Sequence, residues 1–124
     1  MDRDEILRVL KAFEAAGLEY VLIGAAAMGF HGVVRATEDL DVMIKGTAEN
    51  IERLRAALYF DVLTRFGAAA NFETVDSEIK SLEDTHVTVA TPAALYRMKK
   101  DAVRAKDHQD AAALRQRFGL TDED

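Results

Sequence analysis

The strongest constraint on the fold is an alternation between segments of helical periodicity and short apolar runs of strand length. The segments with a helical period are EILRVLKAF (5–13), AENIERLRAAL (48–58), AALYRMKKDAV (93–103) and HQDAAALRQRF (108–118). The strand-like runs are EYVLIG (19–24), DLDVMI (39–44) and YFDVLTRF (59–66), followed by a hairpin of VDSEIKSLED and THVTVA. With a short helix in AAAMGFHG (25–32), the predicted order is αβαβαβββαα. This order predicts an α+β fold in which a mixed β-sheet packs against helices, with helices at the C-terminal end.

Local signals mark where several of these helices begin and end. Asp2, three residues before Glu5, has the spacing of a helix start, and Gly17 is typical of a helix end. Thr47 can cap the helix at 48–58, while Thr91 and Pro92 occupy cap and first-turn positions of the next long helix. We expect the core to contain the following large apolar residues: Leu10, Phe13, Tyr20, Leu22, Leu95 and Leu114.

Composition narrows the class of protein. The 124 residues suit one domain, 1–124, and the absence of Cys excludes disulfides and thiolate metal sites. No apolar run approaches the length of about 20 residues needed to cross a bilayer, and the acidic N-terminus is unlike a signal peptide, so we expect a cytoplasmic protein with no membrane partner. A net charge of −6 argues against a protein that coats nucleic acid, because binding to phosphates needs a surplus of Lys and Arg. A local basic patch is nevertheless present, and its members are Arg97, Lys99, Lys100, Arg104 and Lys106.

Two acidic residues, Asp39 and Asp41, begin the predicted strand DLDVMI. Residues two apart on a strand share a face and lie about 6.5 Å apart along it, so both carboxylates project together. A divalent cation such as Mg²⁺ or Mn²⁺ would relieve their repulsion, because hard cations prefer oxygen ligands. Asp61 would add a third carboxylate if its strand lies beside this pair, which is enough for a two-metal site. The alternative is that each is an ordinary polar residue at a strand end.

Gly24 lies at the turn from the first predicted strand into a short helix. Bare backbone N–H groups and the helix dipole at such a turn favour a phosphate, and a glycine allows the phosphate to approach closely. Taken alone, Gly24 is better explained as a simple turn at the end of a strand. Combined with two acids on the next strand, the pattern indicates a site for phosphate and metal. His31, in the same segment, is better explained by packing and a hydrogen bond than by catalysis.

The junction between Leu58 and Tyr59 passes from helix to strand with no Gly, Pro, Asn or Asp. A reversal of the chain normally uses turn residues at such a place. Either the helix ends in a way that the pattern does not reveal, or a loop is missing from the sequence at this point, and we favour the missing loop.

The stretch IGAAAMGFHGVVRATEDLDVMI resembles the signature of the minimal nucleotidyltransferases related to DNA polymerase beta, in particular the abortive-infection toxins of the AbiEii-like type. The family pattern is a Gly followed by Gly or Ser, a short helix with His-Gly, and then R-x-T-x-D-h-D-h. The matching residues are Gly24, His31, Gly32, Arg35, Thr37, Asp39 and Asp41. Ala25 departs from the pattern, because a Ser there would offer its hydroxyl to phosphate. The strand YFDVLTRF is similar to the one that carries the third carboxylate, which maps to Asp61.

The C-terminal helices also resemble those of the family, with a Lys in the first and a K-D-x-x-D motif in the second. These positions map to Lys99 or Lys100, with Lys100 preferred as the inward-facing one, and to Lys106, Asp107 and Asp110. The simpler explanation of these charges is a solvated helix face. In the family, a longer stretch precedes the third acidic strand. Its absence from this sequence fits the abrupt junction after Leu58.

The resemblance implies transfer of a nucleoside monophosphate from an NTP to a hydroxyl, with release of pyrophosphate. Asp39, Asp41 and Asp61 would hold the metal, and Asp61 would help to deprotonate the acceptor. The nucleotide-binding set would be Gly24, Ala25, Arg35, Thr37, Lys100, Lys106, Asp107 and Asp110. The implied partners are an NTP, an RNA or protein acceptor, and an antitoxin. Two alternatives stay open: an inactive nucleotide-binding or interaction module of the same fold, and a two-metal nuclease.

Overall fold

The fold was established from a computed structural model, which describes residues 2–33, 40–58, 64–66, 69–100 and 105–122. The described helices are α1 (Arg3–Ala16), α2 (Gly24–Phe30), α3 (Ala48–Leu58), α4 (Pro92–Lys100) and α5 (Ala105–Phe118). The described strands are β1 (Tyr20–Ile23), β2 (Leu40–Ile44), β3 (Thr64–Phe66), β4 (Ser77–Leu82) and β5 (Thr85–Ala90). A 3₁₀ helix covers Ala69–Thr74. None of the described helices is both long and apolar enough to cross a membrane.

The strands form one five-stranded mixed sheet in the order β3-β2-β1-β5-β4. β1 runs antiparallel to β2 and parallel to β5, while β3 is parallel to β2 and β4 is antiparallel to β5. Helices pack against this sheet, with α1 against β5 and α3, α2 against β1 and β2, and α4 against α5. The predicted α+β class, with a mixed sheet, packed helices and two C-terminal helices, is therefore confirmed.

The core forms between α1, the central strands and the C-terminal helices. All six residues predicted for it are buried, with Leu10, Phe13, Leu22, Leu95 and Leu114 fully so. The rings of Phe13 and Tyr20 pack with centroids 5.1 Å apart, which ties α1 to β1. On β2, Leu40 and Val42 are fully buried, whereas Asp41 between them is half-buried and projects to the other face of the sheet. The alternation of β2 therefore positions Asp41 outside the main core.

The helix boundaries follow the capping signals closely. The Asp2 side chain accepts a hydrogen bond from the Glu5 backbone N–H at 2.9 Å, and Gly17 ends α1 in the left-handed conformation. The Thr47 and Thr91 hydroxyls accept backbone N–H bonds at 3.2 Å at the starts of α3 and α4. The last helix was predicted to begin at His108, but α5 begins at Ala105 and takes Asp107 into its first turn. An acid there is stabilised by the exposed N–H groups, so the earlier start is favourable.

Asn50 connects α3 to the end of the β1–β2 pair that lies away from Gly24. This residue is fully buried, and its amide donates to the backbone carbonyls of Glu19 at 2.9 Å and Lys45 at 2.8 Å. Its side-chain oxygen accepts from the Glu19 backbone N–H at 2.8 Å. One side chain thereby satisfies the main chain just before β1 and just after β2, and it helps to fix the relative positions of the two strands.

Candidate functional site

Gly24 and Asp41 are in direct contact at the junction of β1 and α2. Ile23, the last residue of β1, pairs with Asp41 of β2, so the bend at Gly24 comes beside the Asp41 side chain. Gly24 has a φ of 72°, and a Cβ added there would stand 2.6 Å from Asp41 Oδ2 and 3.1 Å from Asp41 Cβ. The carboxylate therefore occupies the space that any larger residue would need at this bend. The prediction that the glycine bend and the second acid lie together agrees with this geometry.

The surroundings of Asp41 leave its carboxylate available. Within the described part of the chain, no hydrogen bond or ion pair engages this side chain. The helix that starts beside it has Ile23 at its N-cap position, with no side-chain hydrogen bond to the first turn. Ala25, in that first turn, is half-buried and carries no hydroxyl. Backbone N–H groups of the first turn thus lie near a half-buried carboxylate without a side-chain cap.

The remaining residues of the predicted phosphate and metal site cannot be positioned from the structure. Asp39, Asp61, Arg35 and Thr37 all lie outside the described residues, as does the junction after Leu58. Among the residues that are described, no three His, Asp or Glu side chains converge in a way that could hold a metal ion. Asp41 is therefore the one predicted metal ligand that the structure tests for fit, and its free, hard oxygen atoms suit Mg²⁺ or Mn²⁺.

The third strand of the predicted site does lie next to the second. β3 pairs in parallel with β2, and its register aligns Leu40 with Thr64 and Asp41 with Arg65. Asp61 precedes β3 by three positions in the sequence. The segment YFDVLTRF was predicted to form a strand throughout, and within the described residues the strand covers Thr64–Phe66.

Lys99, not Lys100, is the lysine that faces inward from α4. Its side chain is 10% exposed, and Nζ lies 2.8 Å from Asp110 Oδ2 and 3.4 Å from Asp107 Oδ1. The sequence-based preference for Lys100 was wrong because the acids that meet the inward-facing lysine come from α5, and they lie beside Lys99. Lys100 instead lies with Nζ 5.4 Å from the centroid of the Tyr96 ring and donates to the Asp122 carbonyl at 3.1 Å.

Asp107 and Asp110, the two acids of the K-D-x-x-D motif, face α4. Three residues apart on α5, they lie on one side of that helix, and both carboxylates are less than 10% exposed. Together with Lys99 they form a buried charge cluster that joins the two C-terminal helices. The direct contact of these two acids with a nucleotide, which the resemblance implies, stays a prediction. Lys106 belongs to α5, and its side chain lies outside the described residues.

The predicted basic patch is largely neutralised by partners from other parts of the chain. Arg97 donates to Asp76 Oδ2 at 3.0 Å, Lys99 lies between its two carboxylates, and Lys100 reaches a backbone carbonyl. Arg104 lies outside the described residues. The described members of this patch therefore present little free positive charge to a phosphate.

His31 has the packing role that the sequence favoured. The residue is 6% exposed, and its Nε2 lies 2.7 Å from the Ala90 carbonyl oxygen, which couples the end of α2 to the end of β5. Its own carbonyl accepts a hydrogen bond from Arg117 Nε at 2.8 Å. The ring also packs edge-on against Phe118, with centroids 5.9 Å apart. These contacts stabilise the segment that follows α2.

A cavity of about 330 Å³ opens beside β2. Its described lining residues are Met43, Thr74, Val75, Ala94, Arg97 and Met98. Met43 follows Asp41 by two positions and therefore lies on the same face of the sheet. No sequence pattern predicted this cavity, because its described walls come from three separate parts of the chain: β2, the 3₁₀ helix with the residue after it, and α4. Its described lining combines apolar side chains with the polar groups of Thr74 and Arg97.

A comparison of the chain with protein-family models and with curated proteins gives no match.

Proposed function

We propose that this chain is a metal-dependent nucleotidyltransferase that moves a nucleoside monophosphate from an NTP to a hydroxyl acceptor. The observation that carries the proposal is the contact of Gly24 with Asp41, at the point where the backbone bends out of β1. A glycine bend without a Cβ lets a phosphate approach the main chain, while the adjacent carboxylate can share a cation with that phosphate.

Asp39, Asp41 and Asp61 would hold Mg²⁺ or Mn²⁺. When bound, the metal neutralises triphosphate charge and stabilises the charge that develops during transfer. The pairing of Ile23 with Asp41 holds that carboxylate in a fixed position beside the bend. The backbone N–H groups at Gly24 and Ala25 would donate to the β- and γ-phosphates. α2 has only seven residues, so these direct donors contribute more than its dipole. Asp61 would accept the proton of the acceptor hydroxyl.

The charge cluster of Lys99, Asp107 and Asp110 supports this proposal because it holds α4 in a fixed position against α5. In the proposed enzyme, α4 supplies one wall of the cavity beside Met43. The volume of that cavity and its mixture of apolar and polar lining residues suit a nucleoside. Arg35 and Thr37 would complete the phosphate contacts, as the resemblance implies.

For biological role, we propose a cytoplasmic toxin of a toxin–antitoxin pair. The acceptor would be an RNA or a protein, and an antitoxin would be its partner. This part of the proposal depends on the resemblance of the segment from Gly24 to Asp41 to abortive-infection toxins, and the fold itself does not distinguish among acceptors.

A second candidate is a nucleotide-binding or interaction module of the same fold without catalytic activity. Two observations favour it: Ala25 offers no hydroxyl to phosphate, and both acids of the C-terminal motif are paired with Lys99. Such a module would bind NTP in calorimetry and yet transfer nothing to any acceptor.

The decisive experiment incubates the purified chain with each α-³²P-labelled NTP, Mg²⁺ or Mn²⁺, and total cellular RNA or protein. We expect label to appear in RNA or protein, and Asp41→Asn to abolish the signal. Asp4→Asn is the matched control, because it removes the same charge from an exposed position on α1. Full transfer by Asp41→Asn would refute the site. Degradation of unlabelled RNA or DNA without incorporation of label would instead indicate the two-metal nuclease.

A further inference from the structure

Strand β4 forms an outer edge of the sheet. In the part of the chain that the structure describes, β4 pairs with β5 alone, so one side of its backbone has no strand partner. The side chains alternate along it, with those of Ser77, Ile79 and Ser81 exposed and those of Glu78, Lys80 and Leu82 half-buried. An exposed edge with unpaired N–H and C=O groups is a template for a further strand.

The register identifies which backbone groups point outward. The Thr91 N–H donates to the Asp76 carbonyl at 3.0 Å, directly after the Ser77–Ala90 pair, so Asp76 turns its backbone toward β5. Successive residues alternate in an antiparallel ladder, which directs Glu78 and Lys80 inward and Ile79 outward. The His86 N–H, opposite Ser81, points away from β4 to Glu14 Oε2, as this alternation requires. The free backbone groups of the edge therefore belong to Ser77, Ile79 and Ser81.

Ile79 is the most exposed large apolar residue among those described. Its relative exposure is 62%, in the middle of the edge strand. Its two neighbours carry opposite charges: Glu78 and Lys80 project from the other face, with Oε1 and Nζ 3.1 Å apart and each side chain about 40% exposed. The centre of the strand thus has the pattern acid, exposed isoleucine, base.

We propose that β4 pairs antiparallel with β4 of a second copy of this chain, about a two-fold axis at Ile79. In that register Ile79 meets Ile79 of the partner subunit, and Ser77 meets Ser81 of the partner subunit. These are the residues whose N–H and C=O groups point outward, so each would exchange a pair of hydrogen bonds. Glu78 then lies opposite Lys80 of the partner subunit, and the same contact occurs twice by symmetry.

The charges select this arrangement over others. Edge strands usually carry charges that discourage pairing. Here the two charges flank one residue with opposite signs, so antiparallel pairing brings unlike charges together and parallel pairing in register brings like charges together. The charged pairs occupy the non-hydrogen-bonded positions, where opposing Cα atoms are only about 4.5 Å apart and side chains interact most closely. The sheet of the dimer would run continuously through both subunits.

The test uses sedimentation velocity of the full chain across a range of concentrations. We expect a weak dimer that dissociates on dilution, because a single strand pair buries little area. Glu78→Lys and Lys80→Glu each create two like-charge pairs and should weaken the dimer roughly tenfold or more. An equimolar mixture of these two variants restores both unlike pairs, since one chain carries two bases and the other two acids. The mixture should therefore form dimers over the same range of protein concentration as the wild-type chain.

A third variant tests the backbone. Ile79→Pro removes an N–H that points outward, so it should spare the β4–β5 ladder and abolish the dimer. Thermal unfolding controls for loss of fold, which matters for Glu78→Lys because Glu78 Oε1 lies 3.7 Å from His31 Nδ1. A wild-type chain that stays monomeric overturns the proposal. A dimer that survives Ile79→Pro, or a variant mixture that stays monomeric, overturns it equally.

Discussion

Replacing Gly24 by Ala tests the central contact of the candidate site. Gly24 has a φ of 72°, and an alanine in this left-handed region costs about 1–2 kcal/mol. The new Cβ would also stand 2.6 Å from Asp41 Oδ2 and 3.1 Å from Asp41 Cβ. Rotation of the carboxylate relieves the first contact, but the second requires β1 and β2 to move apart. We expect this overpacking to add about 1–3 kcal/mol.

Gly17→Ala is the matched control for this change. Gly17 has a φ of 69°, and a Cβ there would have nothing within 4 Å. Both variants therefore incur the same backbone cost, and only Gly24→Ala meets Asp41. In urea unfolding, Gly24→Ala should lose about 1–3 kcal/mol more than Gly17→Ala, equivalent to roughly 4 °C in Tm for each kcal/mol.

The same pair of variants separates stability from activity. A displacement of Asp41 by about 1 Å should lower nucleotide transfer about 100-fold. Gly17→Ala should retain wild-type transfer when assayed well below its Tm. Equal stability of the two variants would refute the described contact between Gly24 and Asp41. Unequal stability with full transfer activity would leave the contact intact and refute its role in catalysis.

Three further changes have outcomes that the structure determines. Lys99→Met removes the ammonium that lies 2.8 Å from Asp110 and 3.4 Å from Asp107, and the loss of this buried ion pair should cost about 3–5 kcal/mol in urea unfolding. Asn50→Ala removes three hydrogen bonds to backbone groups, and we expect a loss of about 2–4 kcal/mol by the same measurement. Burial raises the pKa of Tyr20 from 10.0 to about 12. The contribution of its neutral hydroxyl to the free energy of unfolding is therefore complete below pH 10 and is lost as the pH rises to 12. Tyr20→Phe should remove about 2–3 kcal/mol of this alkaline loss, measured by unfolding at pH 9 and at pH 12.

Each of these changes has its own control. Lys100→Met should cost less than about 1 kcal/mol, because the Lys100 contacts are near the surface. If it matched Lys99→Met, the charge cluster would not be the cause. Asn50→Asp keeps the acceptor but sets a buried charged oxygen against two carbonyl oxygens, so at neutral pH it should lose at least as much stability as Asn50→Ala. A smaller loss would show that the two donors are not the important groups. A Tyr20→Phe variant with unchanged pH dependence would show that another group controls alkaline unfolding.

Local physics explains which parts of the fold were predictable. The Asp2 and Gly17 termini of α1, and the Thr91–Pro92 start of α4, depend on side chains within a few residues of the bonds they satisfy. The hairpin of β4 and β5 closes over a two-residue turn at 83–84, so its strands are neighbours in the sequence as well. The adjacency of Gly24 and Asp41 also agrees with a general rule, because consecutive strands usually pair.

Features that depend on distant partners were not predictable. The orientation of Lys99 is decided by α5, and the neutralisation of Arg97 depends on Asp76, which is 21 positions away. The 3₁₀ helix at Ala69–Thr74 has no periodic pattern of apolar residues from which it could be predicted. The outward exposure of Ile79 depends on β4 being at the edge of the sheet, and strand order across a sheet is not contained in the pattern of any one strand.

The amide of Asn50 has an implication for which sequences can adopt this fold. β1 and β2 are antiparallel neighbours whose connection leaves β1 at the end beside Gly24, so chain connectivity leaves the opposite end of the pair, at Tyr20 and Ile44, open. Asn50 joins the two strands at that open end by offering two donors and one acceptor at a depth that solvent cannot reach. Asp lacks the donors, Leu lacks all three groups, and Gln is longer by one methylene. Natural variation among proteins that share this arrangement should therefore leave asparagine fixed here, even where the surrounding helix surface changes freely.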